Sequence, residues 1–208
     1  MNCLLVMNAG SSSVKFGLYE DPGSLMLASG VVRNIGQPGA TMSITLAGHQ
    51  TVTEPSPQQA TVGSLGAIIL HRLRQMHPDA IITGIAHRVV HGGPTHIAPE
   101  IVTPQLITDL HRIESLDSNH LPAQIELMQN FSQVLPGATQ IACFDTAFHR
   151  GHAFEHVAAV ARFTQGVDRA ARDHFAAVLQ KDTDQILEIA QTRLAVDQRH
   201  HVHAEGVL

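Results

Sequence analysis

Three short polar segments contain the residue types whose chemistry and spacing indicate a functional site. The first, "NAGSSSVK" at residues 8–15, lies between two apolar runs of strand length. A hairpin loop of Asn, Gly and Ser offers backbone N–H groups and hydroxyls that suit a phosphate, and Lys15 adds a positive charge. The same residue types are also typical of an ordinary β-hairpin turn, so both interpretations stand at this point.

The second segment is "AHRVVHGG", at residues 86–93. It places Arg88 near the end of an apolar strand, where α/β sheets commonly bind ligands. A guanidinium binds a carboxylate or phosphate through two parallel hydrogen bonds. The alternative is a surface arginine whose aliphatic stem lies beside a turn.

The third segment is "CFDTAFH", in which Asp145 and His149 follow an apolar run. A carboxylate at a strand end can hold Mg²⁺ or orient a nucleophile. Asp145 could equally be the N-cap of the next helix.

Hydrophobic periodicity indicates the elements that must position these segments. An antiparallel meander is predicted over 3–8, 13–20, 25–32 and 41–46, after which "TEPSPQQA" breaks the strands. Helices are predicted over 60–76, 104–113 and 122–131, and further strands in "AIITGIAHRVV" and "TQIACF". The order favours an α/β domain with a mixed sheet and flanking helices over residues 1–150. Residues 151–208 form a divergent, mainly helical segment in this prediction.

Composition excludes several other classes of protein. The 208 residues carry a net charge of −5 and no long Lys/Arg cluster, which argues against a nucleic-acid surface. The sequence has neither a secretory signal nor an apolar run of membrane-spanning length, so we expect a cytoplasmic protein with no membrane partner. Cys3 and Cys143 lie in apolar runs and are predicted to be small buried residues, not a disulfide.

Together, "NAGSSSVK", "HRVVHGG" and "FDTAFH" resemble segments of the acetate kinase family, in the same order and at similar separations. That family belongs to the superfamily of actin, sugar kinases and heat-shock chaperone ATPases. The resemblance covers about residues 2–150 and implies an actin-like (ribonuclease H-like) N-terminal domain. It also implies transfer of a phosphoryl group from ATP to acetate or another short-chain carboxylate, with Mg²⁺ as cofactor.

The resemblance also implies roles for residues of the first segment. Asn8 would lie near Mg²⁺ and the transferring phosphoryl group. Ser11, Ser12 and Lys15 would form the hairpin that binds phosphate.

The remaining roles fall on the later segments. Arg88 would bind the acetate carboxylate or the phosphoryl group, and Val90 would line the pocket for the substrate methyl. Asp145 would serve the metal or acyl-phosphate site. His120, in "NHLPAQ", occupies the place of a family histidine that stabilises the transition state.

Two departures from the family pattern qualify this prediction. Asn119 stands where an apolar pocket residue is expected, and Leu121 where an asparagine is. Family members are also roughly twice as long, because a second actin-like domain completes the nucleotide site. We therefore expect a truncated or split form, inactive alone, that forms a homodimer or pairs with a complementing C-terminal domain.

Two rival functions remain open from the sequence. An actin-like half domain could be a non-catalytic interaction module, because the surface that faces the missing lobe would be exposed. Alternatively, His152, Glu155 and His156 spell H-x-x-E-H, the order of the inverted zinc peptidases, with Glu188 as the candidate third ligand.

Overall fold

A computed structural model describes residues 1–21, 25–47, 50–97 and 99–145. These residues form one eight-stranded sheet of order β5-β4-β3-β2-β1-β6-β8-β7. The strands are β1 (Asn2–Ala9), β2 (Ser13–Glu20), β3 (Met26–Arg33), β4 (Thr41–Leu46), β5 (Thr51–Pro55), β6 (Ile81–Val89), β7 (Glu100–Ile101) and β8 (Thr139–Phe144). The expected mixed α/β architecture with flanking helices is confirmed.

The centre of the sheet is parallel, and its outer strands are antiparallel. Strand β1 pairs parallel with β6, and β6 pairs parallel with β8. Strands β2 to β5 continue from β1 as an antiparallel meander. Buried parallel strands are nearly all apolar, which accounts for the run Leu4-Leu5-Val6-Met7 in β1. The carboxyl ends of β1, β6 and β8 consequently meet at one edge of the sheet.

Three helices follow the meander: α1 (Leu65–Met76), α2 (Pro104–Arg112) and α3 (Leu121–Val134). Helix α1 begins at Leu65 and not at residue 60, because residues 60–64 form turns. The Thr103 side chain caps α2 by accepting a 3.1 Å hydrogen bond from the Leu106 N–H. Prolines in the first turns of α2 and α3 fit the preference of proline for that position.

The two faces of the sheet differ. On the first, here called the helix face, Leu5, Met7, Leu18 and Ile85 form a core with residues of α1 and α3. The second, here called the site face, has a smaller apolar cluster made of Leu4, Val6, Tyr19, Ala86, Ile141 and Cys143. Polar side chains follow this cluster towards the carboxyl ends of the central strands.

Two strands were not predicted from the sequence. Residues 51–55 form the edge strand β5 where a break was expected, so that part of the prediction was wrong. Pro55 is tolerated because it ends an edge strand. The Thr53 hydroxyl pairs with Ser43 at 2.9 Å, which contributes to the pairing of β5 with β4. The two-residue strand β7 is too short to leave a periodic pattern.

Other predictions are confirmed, and some lie outside the described residues. Cys3 and Cys143 are both free and fully buried. Among the described residues, no helix is long and apolar enough to cross a membrane. The helical segment predicted for 151–208, with its H-x-x-E-H pattern, lies outside the described ranges and stays a prediction.

Candidate functional site

A row of polar residues crosses the site face near the carboxyl ends of the central strands. Asn8 of β1 is in register with Lys15 of β2 on one side and with Arg88 of β6 on the other. Residues paired across neighbouring strands project from the same face of a sheet. The pairing of the strands therefore brings together side chains from the first two polar segments of the sequence.

The Arg88 guanidinium is the centre of this row. Its Nε and Nη2 atoms donate hydrogen bonds of 2.9 and 2.7 Å to the two carboxylate oxygens of Asp145. Its Nη1 atom donates to the Asn8 Oδ1 at 3.3 Å. The Arg88 and Asp145 side chains are 30% and 19% exposed, so both are reachable from solvent and partly desolvated. The structure thus joins all three polar segments at one arginine.

Lys15 lies in a positively charged environment. Burial lowers the pKa of its ammonium group from the ordinary 10.5, and the positive charges of Arg33 and Arg88 lower it further. An anion beside these three cations would relieve their mutual repulsion. This end of the site face is therefore suited to a phosphate or a carboxylate.

The loop between β1 and β2 is a closed hairpin turn. The Gly10 N–H donates to the Ser13 carbonyl at 2.8 Å, and the Ile35 N–H donates to the Ser12 carbonyl at 3.1 Å. Ser11 and Ser12 are exposed at the tip. The backbone position of the loop is fixed, while these two side chains remain accessible to a ligand.

The loop after β6 is held by several specific contacts. The Gly93 N–H donates to the Nδ1 of His91 at 2.7 Å, and Gly93 has a φ of +65°, a conformation that favours glycine. A Cβ on Gly92 would overlap the backbone oxygen of His96. The glycine pair of "HRVVHGG" is thus required by the shape of the loop that follows Arg88.

Gln124 of α3 connects the two loops. Its Oε1 accepts a 3.1 Å hydrogen bond from the Val90 N–H, and its Nε2 donates at 3.0 Å to the Ala9 carbonyl. The Gln124 side chain is buried, with 2% exposure. Val90 itself is half-buried just beyond the end of β6.

His120 lies one turn before Gln124, at the N-cap of α3. Its Nδ1 is 3.0 and 3.1 Å from the two carboxylate oxygens of Asp117. One of those oxygens also accepts the His120 N–H at 3.1 Å, which fixes the start of the helix. The Gln124 N–H donates to the His120 carbonyl at 3.1 Å, so the backbone of His120 is joined to the first turn of α3.

Oxygen donors that suit Mg²⁺ are present at the site. Among the described ranges, no three His, Cys, Asp or Glu side chains converge to hold a metal ion. Mg²⁺ bound with a nucleotide, however, needs only one or two carboxylates beside phosphate and water oxygens. Asp145 supplies a carboxylate, and the Asn8 amide oxygen, which also faces Arg88, is a second hard donor.

Cys143 is the nearest thiol to the site, but it is unsuited to nucleophilic chemistry. Burial raises the pKa of Cys143 to about 12, and the charge of Asp145 acts in the same direction. The thiol therefore stays protonated at neutral pH.

Three neighbours of the predicted residues were missed from the sequence. Gln124 carried a usable signal, because it is a polar residue on the apolar face of α3 between Leu121 and Ile125. Arg33 and Asp117 carried none, since their relation to Lys15 and His120 depends on strand pairing and on the turn before α3.

Leu121 is fully buried in a core cluster, and Asn119 is exposed.

Comparison with known proteins identifies the family. The model of the acetokinase family matches residues 3–163. The chain belongs to this family. An acetate kinase from Geobacillus sp. (strain WCH70) is 37% identical over 153 residues, which are 72% of this chain and 38% of that protein. "Acetate kinase 2" from Listeria monocytogenes serotype 4b is 34% identical over the same shares of the two chains.

Solved structures of acetokinases agree with the fold. The acetate kinase of Porphyromonas gingivalis superposes with a TM-score of 0.66 and 31% identity, over 73% of this chain and 39% of that one. A propionate kinase from Francisella tularensis gives a TM-score of 0.64 and 30% identity, over 73% of this chain and 38% of that one. This chain spans about 38% of the length of the acetokinase relatives that it matches first.

Proposed function

We propose that this chain supplies the phosphate- and carboxylate-binding domain of an acetate kinase-type phosphotransferase. The reaction would convert ATP and acetate, or another short-chain carboxylate, into ADP and the acyl phosphate. The observation that carries the proposal is the junction of three separate polar segments at Arg88, beside the partly buried ammonium of Lys15. Membership of the acetokinase family supports it.

The proposed chemistry requires positioning and charge neutralisation. A carboxylate oxygen of the substrate attacks the terminal phosphorus of ATP, and the bond from that phosphorus to the oxygen of ADP breaks. Negative charge is then shared among the attacking, transferring and leaving groups, so protein cations near the phosphoryl group lower the barrier. Arg88 and Lys15, which are both in register with Asn8 on the site face, would supply this charge.

Asp145 and Asn8 would set the orientation of Arg88 before a ligand arrives. The two bonds from Asp145 fix the plane of the guanidinium, and the bond from Asn8 limits its rotation. Preorganised charges of this kind need no rearrangement during the reaction. An arriving anion would compete with Asp145 for the hydrogen bonds of Arg88. The displaced Asp145 carboxylate would then be available to bind a metal ion.

Mg²⁺ would be held by Asp145 and, on the Asn8 side, by the amide oxygen, together with oxygens of the nucleotide. When bound, it would neutralise charge on the phosphates. Ser11 and Ser12, exposed at the hairpin tip, would donate hydrogen bonds to phosphate oxygens.

Val90 and His120 would act on the substrate side of the site. Val90 is half-buried and lies one residue after the end of β6, the strand that contains Arg88. Its side chain would contact the methyl of acetate. The Asp117 carboxylate holds the Nδ1 of His120, so the Nε2 atom is the one presented to a ligand. In that position the protonated imidazolium, which carries a hydrogen on both ring nitrogens, would donate to the transferring phosphoryl group.

We expect the 208-residue chain alone to have little acetate kinase activity. The adenosine pocket and further cations of the site would come from a second actin-like domain, on a separate chain or a longer one. Loss of one preorganised donor commonly lowers turnover about 10²- to 10³-fold, and here several would be missing together.

A complementation assay tests the proposed function. The chain is mixed with the separately expressed C-terminal domain of the Geobacillus acetate kinase, and acetyl phosphate formation from ATP, Mg²⁺ and acetate is measured. The proposal predicts turnover that requires both proteins and is lost in the Asp145→Ala variant. Association without any turnover would contradict it and favour a non-catalytic interaction module.

A further inference from the structure

The amide of Gln124 spans two backbone groups that belong to different parts of the candidate site. One is the Ala9 carbonyl, next to Gly10 of the phosphate hairpin, and the other is the Val90 N–H, directly after Val89 at the end of β6. They are separated from Gln124 by 115 and 34 positions in the sequence. A single side chain therefore bridges the two loops just beyond Asn8 and Arg88, the last aligned pair of β1 and β6.

The orientation of this amide is determined by its partners. A backbone N–H can only donate and a carbonyl can only accept, so Oε1 must face Val90 and Nε2 must face Ala9. Gln124 is 2% exposed, which leaves water little access to either partner if the side chain is removed. No other polar side chain in α3 is buried to this extent within the described residues.

We infer that Gln124 is a positioning residue that sets the spacing between the phosphate hairpin and the loop following Arg88. This inference rests on the proposed function, because the spacing matters only if both loops contact one ligand. Gln124 acts through the backbone and does not itself touch the ligand. Without it, Lys15 and Arg88 would keep their strands but lose the fixed separation of the loops beside them.

Two substitutions of Gln124 distinguish the effect of its bond to Val90 from the effect of its bond to Ala9. Gln124→Met keeps the length of the side chain and removes both bonds. Gln124→Glu keeps an acceptor for the Val90 N–H, but its carboxylate has no proton to donate to the Ala9 carbonyl. We expect Gln124→Met to disturb both loops and Gln124→Glu to disturb mainly the hairpin.

Gln140→Met is the matched control. Gln140 is also a buried glutamine, with 6% exposure, and it makes two side-chain hydrogen bonds, to His87 and Ser132. One bond is buried and the other partly buried, and neither connects to a loop of the site. Its loss should lower stability by a similar amount, which separates a general loss of packing from a loss of loop spacing.

The experiment compares the full chain without ligand and with inorganic phosphate, in the wild type and in each variant. Amide exchange at Val90 and the carbonyl ¹³C shift of Ala9 report the two bonds directly, and calorimetry gives the affinity for inorganic phosphate. We expect Gln124→Met to lose protection at Val90, shift the Ala9 carbonyl signal and weaken phosphate binding about tenfold, the size of one buried hydrogen bond. Gln140→Met should leave all three readouts unchanged.

The inference and the proposed function fail in different ways. Unchanged exchange and carbonyl shifts in Gln124→Met, or equal loss of affinity in Gln140→Met, would overturn the inference. If the wild-type chain does not bind phosphate, the proposed function is contradicted. In that case the spacing role would still be supported if amide exchange across residues 10–13 were faster in Gln124→Met but not in Gln140→Met. Unchanged exchange across these residues in Gln124→Met would overturn the spacing role.

Discussion

Arg88 and Asp145 are 57 positions apart in the sequence, yet both carboxylate oxygens of Asp145 accept hydrogen bonds from the Arg88 guanidinium. The parallel pairing of β6 with β8 produces this contact, because it aligns Arg88 with Cys143, two residues before Asp145. Asp145 follows directly after Phe144, the last residue of β8, and its carboxylate contacts the Arg88 guanidinium from there. The two residues form an ion pair in this structure, and under the proposed function an arriving phosphate or carboxylate would compete with Asp145 for Arg88.

Replacement of Arg88 should greatly weaken anion binding but lower the free energy of unfolding only slightly. We expect Arg88→Ala to weaken acetyl phosphate binding about 10- to 100-fold, since a charge-assisted pair is lost. The free energy of unfolding should fall by only about 1 kcal/mol, because the pair is partly solvated. Calorimetry and thermal unfolding measure the two effects.

Arg112→Ala is the control for charge. Arg112 is 69% exposed and pairs with Asp109 on the surface of α2, so the substitution changes the net charge equally without reaching the site. Equal loss of affinity in the two variants would show that Arg88 acts only through the overall charge of the chain.

Anion binding should depend on the protonation of Lys15. Burial and the charges of Arg33 and Arg88 lower the pKa of Lys15 below 10.5 in the free protein, and a bound anion should raise it again. Binding of inorganic phosphate should therefore weaken as the pH rises through the lowered pKa. Calorimetric titrations between about pH 8 and about pH 10.5 follow this change.

Lys15→Arg provides the comparison, since a guanidinium stays charged over this whole range. Its phosphate affinity should be nearly independent of pH. A wild-type affinity that is equally flat would argue against any contact between Lys15 and the anion.

His87 should make stability fall in mild acid. It is fully buried on the helix face, and burial lowers its pKa from 6.5 to about 4, despite the hydrogen bond with Gln140. Above pH 6.5 the imidazole is neutral in both states. Between 6.5 and about 4 only the unfolded chain binds the proton, so the free energy of unfolding decreases as the pH falls.

The expected loss is roughly 3 kcal/mol across this interval. Denaturant unfolding at a series of pH values measures it, with His87→Gln as the comparison because glutamine keeps a donor for Gln140. The variant should show a shallower slope than wild type over the interval. Identical slopes would mean that folding does not lower the pKa of His87.

Gly92 should be intolerant of any side chain. A Cβ there would overlap the His96 backbone oxygen and lie 2.9 Å from the Phe144 ring. We expect Gly92→Ala to cost about 1–3 kcal/mol of unfolding free energy and to displace the loop after Arg88. Gly137→Ala, where a Cβ would have nothing within 4 Å, should change stability by less than about 0.5 kcal/mol. Similar losses in both variants would contradict the close approach at Gly92.

Much of this arrangement was predictable from local sequence. The strands around Asn8 and Arg88 followed from apolar runs, and the polar residues at their ends marked the edge of the sheet where we place the candidate site. That Arg88 and Asp145 belong to one site was expected only through the family resemblance, and their direct contact was not predicted. Its geometry depends on which strands are neighbours, and no local pattern contains that information.

The errors have physical explanations as well. Strand β5 alternates exposed and half-buried residues on the outer edge, so its sequence lacks the apolar run that marks a strand. The position of Gln124 on the apolar face of α3 indicated burial, but its two partners are backbone groups, which leave no trace in the sequence pattern. The effect of the Arg33 and Arg88 charges on Lys15 likewise arises from the pairing of β2 with β3 and, through β1, from the position of β6.

The most direct test of the central proposal, that Lys15, Asn8 and Arg88 form an anion site, is an NMR titration of the full chain with acetyl phosphate. In the wild-type chain we predict saturable shifts of the Gly10–Lys15 amides and of the Arg88 Nε–H signal; in Arg88→Ala the amide shifts should require about 10- to 100-fold more ligand. Shifts that avoid these groups, or that persist unchanged in Arg88→Ala, would contradict it.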